Sequence, residues 1–292
     1  MQAYRTDITA QTRLVAVLGH PVGHSLSPRM HNAAFRAQGV DMVYLAFAVL
    51  PEQLTSAVDG MKALGMRGAN VTVPHKEAVV GLLDVVDPLA ARIGAVNTIV
   101  NEESRLWGYN TDVEGFRSAL GSVRQAGARG LRCLVAGAGG AAHAVVAALS
   151  ADEASEIWIF NRTAQRARAL CEAASGWGQA ACTPVAEEDL AARIQEADLL
   201  VNATTVGQGL AVKESAIPVD TIDSHHLVMD LVYGARPTAL VAAAEKSGAI
   251  ALDGREMLVM QAARSYSLWT GLEPPVDVMR TSLDAREDAR ER

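Results

Sequence analysis

Long apolar runs are missing from the chain: none approaches the roughly 20 residues that a bilayer-spanning helix needs, although 50% of its 292 residues are hydrophobic. Its first residues, MQAYRTDITAQTR, are polar where an export signal would be apolar, so a cytoplasmic protein without membrane attachment is expected. Cysteine is sparse: Cys133, Cys171 and Cys182 show no C-x-x-C spacing, which argues against a zinc or dithiol motif and for three reduced thiols. The histidines at 20, 24, 31, 75, 143, 225 and 226 show no ligand spacing, and no metal is expected. Aromatics are only 4% of residues, so aliphatic side chains must build the core. The net charge of -7 is spread along the chain without a basic cluster, which speaks against a nucleic-acid surface. Lysine is rare too: Lys62, Lys76, Lys213 and Lys246 stand among 26 basic residues, the rest arginine. Arginine cannot release a proton at neutral pH and lysine can, so each of these four merits scrutiny.

What is present is alternation. Apolar runs at Leu14–Leu18, Met42–Val49 and Ala69–Val73 read as strands, with helices at Ser27-Pro28 onward and Pro51–Leu64 between them. Ser27 is expected as N-cap with Pro28 in the first helical position. Ala95–Val100 and Arg105–Tyr109 read as short strands around a polar turn, and a helix from Thr111 leads to a linker near Gly121–Gly130. The rhythm then restarts. Arg132–Ala136, Glu156–Phe160, Ala180–Val185, Leu199–Asn202, Leu227–Leu231 and Ala249–Leu252 read as strands, and Ala141–Ser150, Ala164–Ala174 and Thr238–Ser247 as helices. Helices are expected from Glu256 onward, the tail DAREDARER being a solvated helix end. Strand–helix alternation predicts an α/β protein with parallel sheets covered on both faces.

The second rhythm carries a nucleotide signature. Gly137-Ala138-Gly139-Gly140-Ala141-Ala142 follows a strand and opens a helix. Glycines allow a tight turn and close backbone approach to a pyrophosphate, and the helix N-terminus supplies positive potential. An NAD site usually carries an acid at the end of the next strand, where it accepts from the ribose hydroxyls. Here that strand ends Phe160-Asn161-Arg162-Thr163, with Arg166 one helical turn on. Two guanidiniums and a hydroxyl favour the 2′-phosphate of NADP. Asn161 as a helix cap beside solvated arginines is the plain alternative.

The first rhythm is rich in polar residues at strand ends: Ser25-x-Ser27-Pro28, Asn70-Val71-Thr72-Val73-Pro74-His75-Lys76, Gly94-Ala95-Val96-Asn97-Thr98 and Gly108-Tyr109-Asn110-Thr111-Asp112. Each alone has a structural explanation as a cap, turn or surface charge. Together they suggest a ligand, because ligands gather at the carboxyl ends of parallel strands.

The ordered set SxSP, NVTVPxK, GAVNT, GxNTD, GxGGAA, NRT, NAT, D-x-x-Y and G-x-x-ML-x-x-Q resembles the shikimate dehydrogenase family over nearly the whole chain. The resemblance implies two domains: 1–112 with 255–292 for substrate, and a Rossmann-like doubly wound domain, 113–254, for NADP. It implies that Ser25 and Ser27 bind the substrate carboxylate and that Thr72, Asn97 and Asp112 hold ring hydroxyls. It implies too that Tyr233 and Gln261 complete that pocket and that Lys76 with Asp112 forms the catalytic pair. Gly137, Gly139, Gly140, Ala141, Asn161, Arg162, Thr163, Arg166, Asn202, Thr204, Leu231 and Gly254 fall at cofactor-binding positions. Departures are Thr238-Ala239-Leu240 in place of Thr-Pro-Leu, Thr205-Val206 after the NAT segment, and Arg255-Glu256 after Gly254.

The implied reaction is hydride transfer from reduced NADP to the ketone of 3-dehydroshikimate, with Lys76 protonating the developing alkoxide. A cleft that opens and closes would suit such chemistry. A quinate/shikimate dehydrogenase using NAD, a relative acting on folate or a tRNA-linked substrate, and a non-enzymatic NADP-binding protein are the alternatives. The arginines argue against the first, the serine pair with Asn97 and Asp112 against the second, and Lys76 with Asp112 against the third. A monomer or a homodimer fits equally.

Overall fold

The structure is a computed structural model that describes residues 8–234 and 236–284. The chain divides into two compact units: the described residues up to Thr111 with those from Val259 onward, and Asp112–Leu258. The polar start of the chain to Asp7 and the charged tail from Ala285 lie outside the described residues.

The first unit contains β1 (Arg13–Gly19), α1 (Ser27–Gln38), β2 (Met42–Ala48), α2 (Leu54–Ala63), β3 (Gly68–Val71), β4 (Val85–Val86), α3 (Pro88–Ile93), β5 (Thr98–Glu102) and β6 (Arg105–Tyr109). Its sheet runs β2-β1-β3-β5-β6-β4. Strand β1 pairs parallel with both β2 and β3, but β5 is antiparallel to β3 and to β6. The wholly parallel sheet expected here is therefore corrected to a mixed one. The cause is local: Glu103 and Ser104, both at positive φ, form the two-residue connection between β5 and β6, and a hairpin that short permits only antiparallel pairing. Ala16, Leu18, Val58, Met61, Ala69, Val71, Ile99 and Leu106 form the aliphatic core on one sheet face.

Helix α1 begins differently from expectation. Leu26 is its N-cap, Ser27 is already helical, and the cap makes no side-chain hydrogen bond. Ser25 takes part of the capping role, its Oγ accepting from the Ser27 N–H at 3.3 Å. Helix α3 and strand β4, absent from the sequence reading, are short; α3 is bounded by an Asp87 cap that accepts from the Leu89 N–H and by Gly94 at φ 70°.

The second unit holds α4 (Asp112–Val123), β7 (Arg132–Ala136), α5 (Gly140–Ala151), β8 (Glu156–Phe160), α6 (Ala164–Ala174), β9 (Ala181–Val185), α7 (Leu190–Glu196), β10 (Leu199–Asn202), β11 (Leu227–Asp230), α8 (Ala239–Ser247) and β12 (Ile250–Leu252). Its sheet is parallel throughout, ordered β12-β11-β10-β7-β8-β9. Counted from β7, that is the doubly wound dinucleotide-binding order, in which the chain reverses direction between the first and fourth strands. Ala144 through Leu149 of α5 are all buried, as a helix apolar on every side requires. The last helices are α9 (Gly254–Thr270), which crosses from the second unit to the first, and α10 (Val276–Asp284).

Candidate active site

In the first unit the polar clusters meet along one end of the sheet. Leu18 lies opposite Val71, so the segments after β1, bearing Ser25 and Ser27, and after β3, bearing Thr72 and Lys76, leave side by side. Asn70 lies opposite Thr98 and Thr98 opposite Tyr109. Antiparallel β5 thus brings its beginning, with Asn97 just before it, to the same end where β6 delivers Thr111. The mixed sheet still gathers the polar clusters at one end of its strands.

The backbone there is tightly tied. The Thr72 N–H donates to Leu18 O at 2.9 Å, and the Val96 N–H to Lys76 O at 2.8 Å. His75 is buried, with Nε2 2.7 Å from Val49 O. The turn that carries Lys76 is therefore anchored before the lysine and at its own carbonyl, while the Lys76 side chain itself is half-buried.

Beneath lies a buried polar network. The Tyr44 hydroxyl donates to Asn70 Oδ1 at 2.7 Å. Asn70 Nδ2 reaches Asn97 O, Thr98 Oγ1 and Ser265 Oγ, each at 3.1 Å. Asn97 Nδ2 donates to Thr111 Oγ1 at 2.9 Å and, in a longer contact of 3.4 Å, to Gln261 Oε1. Asn97 Oδ1 accepts from the Thr111 N–H at 2.7 Å. Asn97 thus fixes both the backbone and the side chain of the residue before Asp112. Asp112 opens α4 and is buried. Tyr44 and Ser265 escape the sequence reading, and Asn70 and Thr98 enter it only as members of the polar clusters without a role of their own: all four point inward, and Ser265 lies far from the rest in the chain. Asn70 at least stands in the NVTVPxK segment, two residues before Thr72 and so on the same side of the chain by strand alternation, but its burial is not legible there.

The second unit places its glycine loop between β7 and α5, beside the end of β10, where Asn202 pairs with Ala136. Gly137 sits at φ 119°, and a Cβ there would meet Ala203 O at 2.9 Å and the Thr204 methyl at 3.2 Å. Only glycine lets the two loops approach so closely. Gly139 is the N-cap of α5 and offers no side chain to its first turn; a Cβ on Gly139 would stand in open space. A glycine-lined helix start at the point where strand order reverses fits a dinucleotide pyrophosphate.

Asn202, Thr204, Leu231 and Gly254 converge, though mostly by holding one another. Asn202 Nδ2 donates to Asp230 Oδ1 at 2.8 Å and to Val206 O at 3.1 Å. Asn202 Oδ1 accepts from Thr204 Oγ1 at 2.7 Å and from the Thr204 N–H at 3.1 Å. All four hydrogen-bonding positions of this buried amide are occupied, so Asn202 shapes the loop after β10. Asp230, which the sequence reading misses as a functional residue, is the partner of that loop: it also accepts from the Val232 N–H at 3.0 Å and from Thr238 Oγ1 at 2.6 Å. Burial raises its carboxyl against the opposing pull of those hydrogen bonds. A Cβ at Gly254 would collide with the Leu231 carbonyl. Tyr233 is half-buried, and desolvation raises its phenol.

At the end of β8, Arg162, Thr163 and Arg166 are exposed. Asn161 does not cap α6. The N-cap is Thr163, without a side-chain bond, and Asn161 Nδ2 donates to Thr163 O at 3.0 Å. The described residues present no carboxylate at this strand end from Phe160 through Arg166.

The pattern of the shikimate dehydrogenase substrate binding domain matches residues 17–99. That of shikimate/quinate 5-dehydrogenase matches 121–235, and that of the shikimate 5′-dehydrogenase C-terminal domain matches 254–283. The NADP-dependent shikimate dehydrogenase of Moorella thermoacetica is 49% identical, over 94% of this chain and 93% of its own. The chain belongs to the shikimate dehydrogenase family. The shikimate 5-dehydrogenase of Thermus thermophilus, solved in complex with NADP(H) and shikimate, is 39% identical with a TM-score of 0.83, covering 93% of this chain and 98% of that one. The quinate dehydrogenase of Corynebacterium glutamicum, in complex with NAD, is 32% identical with a TM-score of 0.85, covering 94% and 99%. Family membership and fold alone therefore do not separate shikimate from quinate or NADP from NAD; the site residues must.

Proposed function

We propose that this family member catalyses the reversible NADP-dependent reduction of 3-dehydroshikimate to shikimate, in the biosynthesis of aromatic amino acids. The observation that carries the reading is the β8 end, Phe160-Asn161-Arg162-Thr163, with Arg166 on the next helical turn and no acid, in a chain 49% identical to an NADP-dependent shikimate dehydrogenase. A 2′-phosphate is matched by guanidiniums and repelled by a carboxylate.

Residues 1–112 with 255–292 bind substrate, and 113–254 bind NADP. Gly137, Gly139, Gly140 and Ala141 line the pyrophosphate, Asn161 through Thr163 and Arg166 the ribose phosphate, and Thr204, Leu231 and Gly254 the remainder of the cofactor, with Asn202 holding Thr204 in place. Bound NADPH supplies the hydride. Ser25 and Ser27 hold the substrate carboxylate, a remote contact that orients the ring. Thr72, Asn97 and Asp112 accept and donate to ring hydroxyls, with Gln261 and Tyr233 completing the pocket. Asn97 frees a hydrogen for substrate by giving up its long contact to Gln261. Lys76, as an ammonium, stabilises the charge developing on the carbonyl oxygen and passes it a proton; in the oxidative direction the neutral amine takes that proton back. Asp112 orients the lysine. The protein acts in the cytoplasm as a monomer or homodimer, and among the described residues no helix is long and apolar enough to cross a membrane.

NAD-linked quinate oxidation is the competing reading, and the likeness to the Corynebacterium enzyme favours it. Ser27 leaves the carboxylate site small, and the family resemblance associates a threonine there with quinate use. Initial rates with shikimate or quinate, each with NADP or NAD, decide. A kcat/KM highest for shikimate with NADP is expected; equal values for the two acids, or a preference for NAD, would reject the assignment.

A further inference from the structure

Cys171 on α6 and Cys182 on β9 are the only two described thiols that meet: their sulfurs lie 2.9 Å apart. Nothing in the C-x10-C spacing announces this. It follows from the fold, because α6 packs back across the sheet edge on which β9 pairs with β8. A disulfide bond is about 2.05 Å long, so closure requires under an ångström of further approach. Cys182 is half-buried and Cys171 retains 7% exposure, enough for a small oxidant at the edge of the unit. Cys133 differs: it is fully buried in β7, its S–H points to Leu131 O at 3.7 Å, and burial raises its thiol.

We propose that Cys171 and Cys182 are a reversible redox pair that closes, under peroxide, into a disulfide clamping α6 to β9. Hydrogen bonding from the Cys182 S–H lowers the Cys171 thiol, which makes Cys171 the attacking sulfur. Its thiolate attacks one oxygen of hydrogen peroxide, the O–O bond breaks, and hydroxide leaves, taking a proton to become water. The resulting sulfenic acid is attacked at sulfur by Cys182; the S–O bond breaks, and the hydroxyl departs as a second water with the Cys182 proton. Two thiols lose two electrons and the peroxide gains them. A dithiol reverses the bond. In a reducing compartment such a bridge is transient, which is the usual form of an intracellular disulfide.

The bridge encloses residues 172–181 and fixes the C-terminal end of the helix whose first turn carries Arg166. Closing a loop of this size restricts the unfolded chain. Oxidation should therefore raise the melting temperature by roughly 5–10 °C.

The test treats the full chain with hydrogen peroxide, alkylates remaining thiols, and maps peptides without reduction. A linked Cys171–Cys182 peptide lacking two hydrogens is expected, with Cys133 still a thiol, and with both the link and the melting shift removed by dithiothreitol and absent from Cys182→Ser. The proposal is overturned if the two cysteines remain alkylatable or oxidise separately to sulfinic acids. It also falls if the link leaves the melting temperature unmoved, or if Cys182→Ser shows the same shift. The peptide map of the unmutated chain decides even if that variant fails to fold.

Discussion

Exchanging His31 for phenylalanine should remove an acid-sensitive component of the protein's stability. His31 lies on α1 with 0% exposure. Its ring stacks on Tyr44 at 4.5 Å and 4°, and the Trp269 ring is 5.2 Å away. Neither ring nitrogen has a hydrogen-bond partner. Burial alone pushes its pKa down from 6.5 to about 3. The folded protein therefore refuses a proton that the unfolded chain accepts. Stability is complete above pH 6.5 and falls as pH drops from there toward 3. From pH 8 to pH 5 the linkage amounts to about 2 kcal/mol. Phenylalanine keeps the aromatic stack and has nothing to protonate. At pH 8 the variant should be as stable as the parent or more so, since an unpaired buried N–H costs about 1–3 kcal/mol. Urea unfolding of the full chain at pH 8 and pH 5, with and without His31→Phe, measures the difference. The parent should lose about 2 kcal/mol more than the variant over this interval. Equal losses would show that His31 is protonated as readily folded as unfolded, and the burial argument would be wrong.

Two further outcomes follow from the site. Arg162→Ala should raise KM for NADP about 10-fold or more while leaving KM for NAD nearly unchanged, because a charge-assisted phosphate contact is worth about 1.5–3 kcal/mol; equal weakening of both cofactors would make Arg162 an ordinary surface charge. Asn97→Ala should lower kcat as well as raise KM, because Asn97, proposed to hold a ring hydroxyl, also fixes Thr111 immediately before Asp112; a steady-state assay in which only KM moves would reduce it to a binding residue.

Much of the fold can be read from the chain because its punctuation is explicit. Glu156–Phe160 is an apolar run stopped by Asn161 and Arg162, and Ala164–Ala174 is a long periodic segment; both stand in the structure at those limits. Helix α7 has seven residues, too few for helical periodicity to stand out. Helix α3 has six; its Asp-Pro start and glycine end are the usual boundary signals, but so short a segment between them reads equally well as a loop. The antiparallel turn of β5 depends on two residues, Glu103 and Ser104, whose positive φ no glycine or asparagine announces. The candidate site divides in the same way. Groups that face outward at strand ends, such as Ser25, Lys76 and Arg162, are visible because their polarity interrupts an apolar pattern. Pairings that hold the neighbouring loops from within, such as Asn70 with Ser265 or Asp230 with Asn202, become visible only when distant segments are brought to hydrogen-bond distance.

Lys76 carries the central claim, that this chain is a dehydrogenase whose lysine moves the proton. The direct measurement is the rate at which NADPH absorbance appears with shikimate and NADP, for the unaltered protein, Lys76→Ala and Lys76→Arg. The unaltered protein should turn over, Lys76→Ala should lose about 10²–10⁴ in kcat with a much smaller change in shikimate affinity, and Lys76→Arg should not recover the rate, since a guanidinium holds charge but does not release its proton. Near-normal kcat in Lys76→Ala, or no NADP reduction by the unaltered protein, would contradict the account.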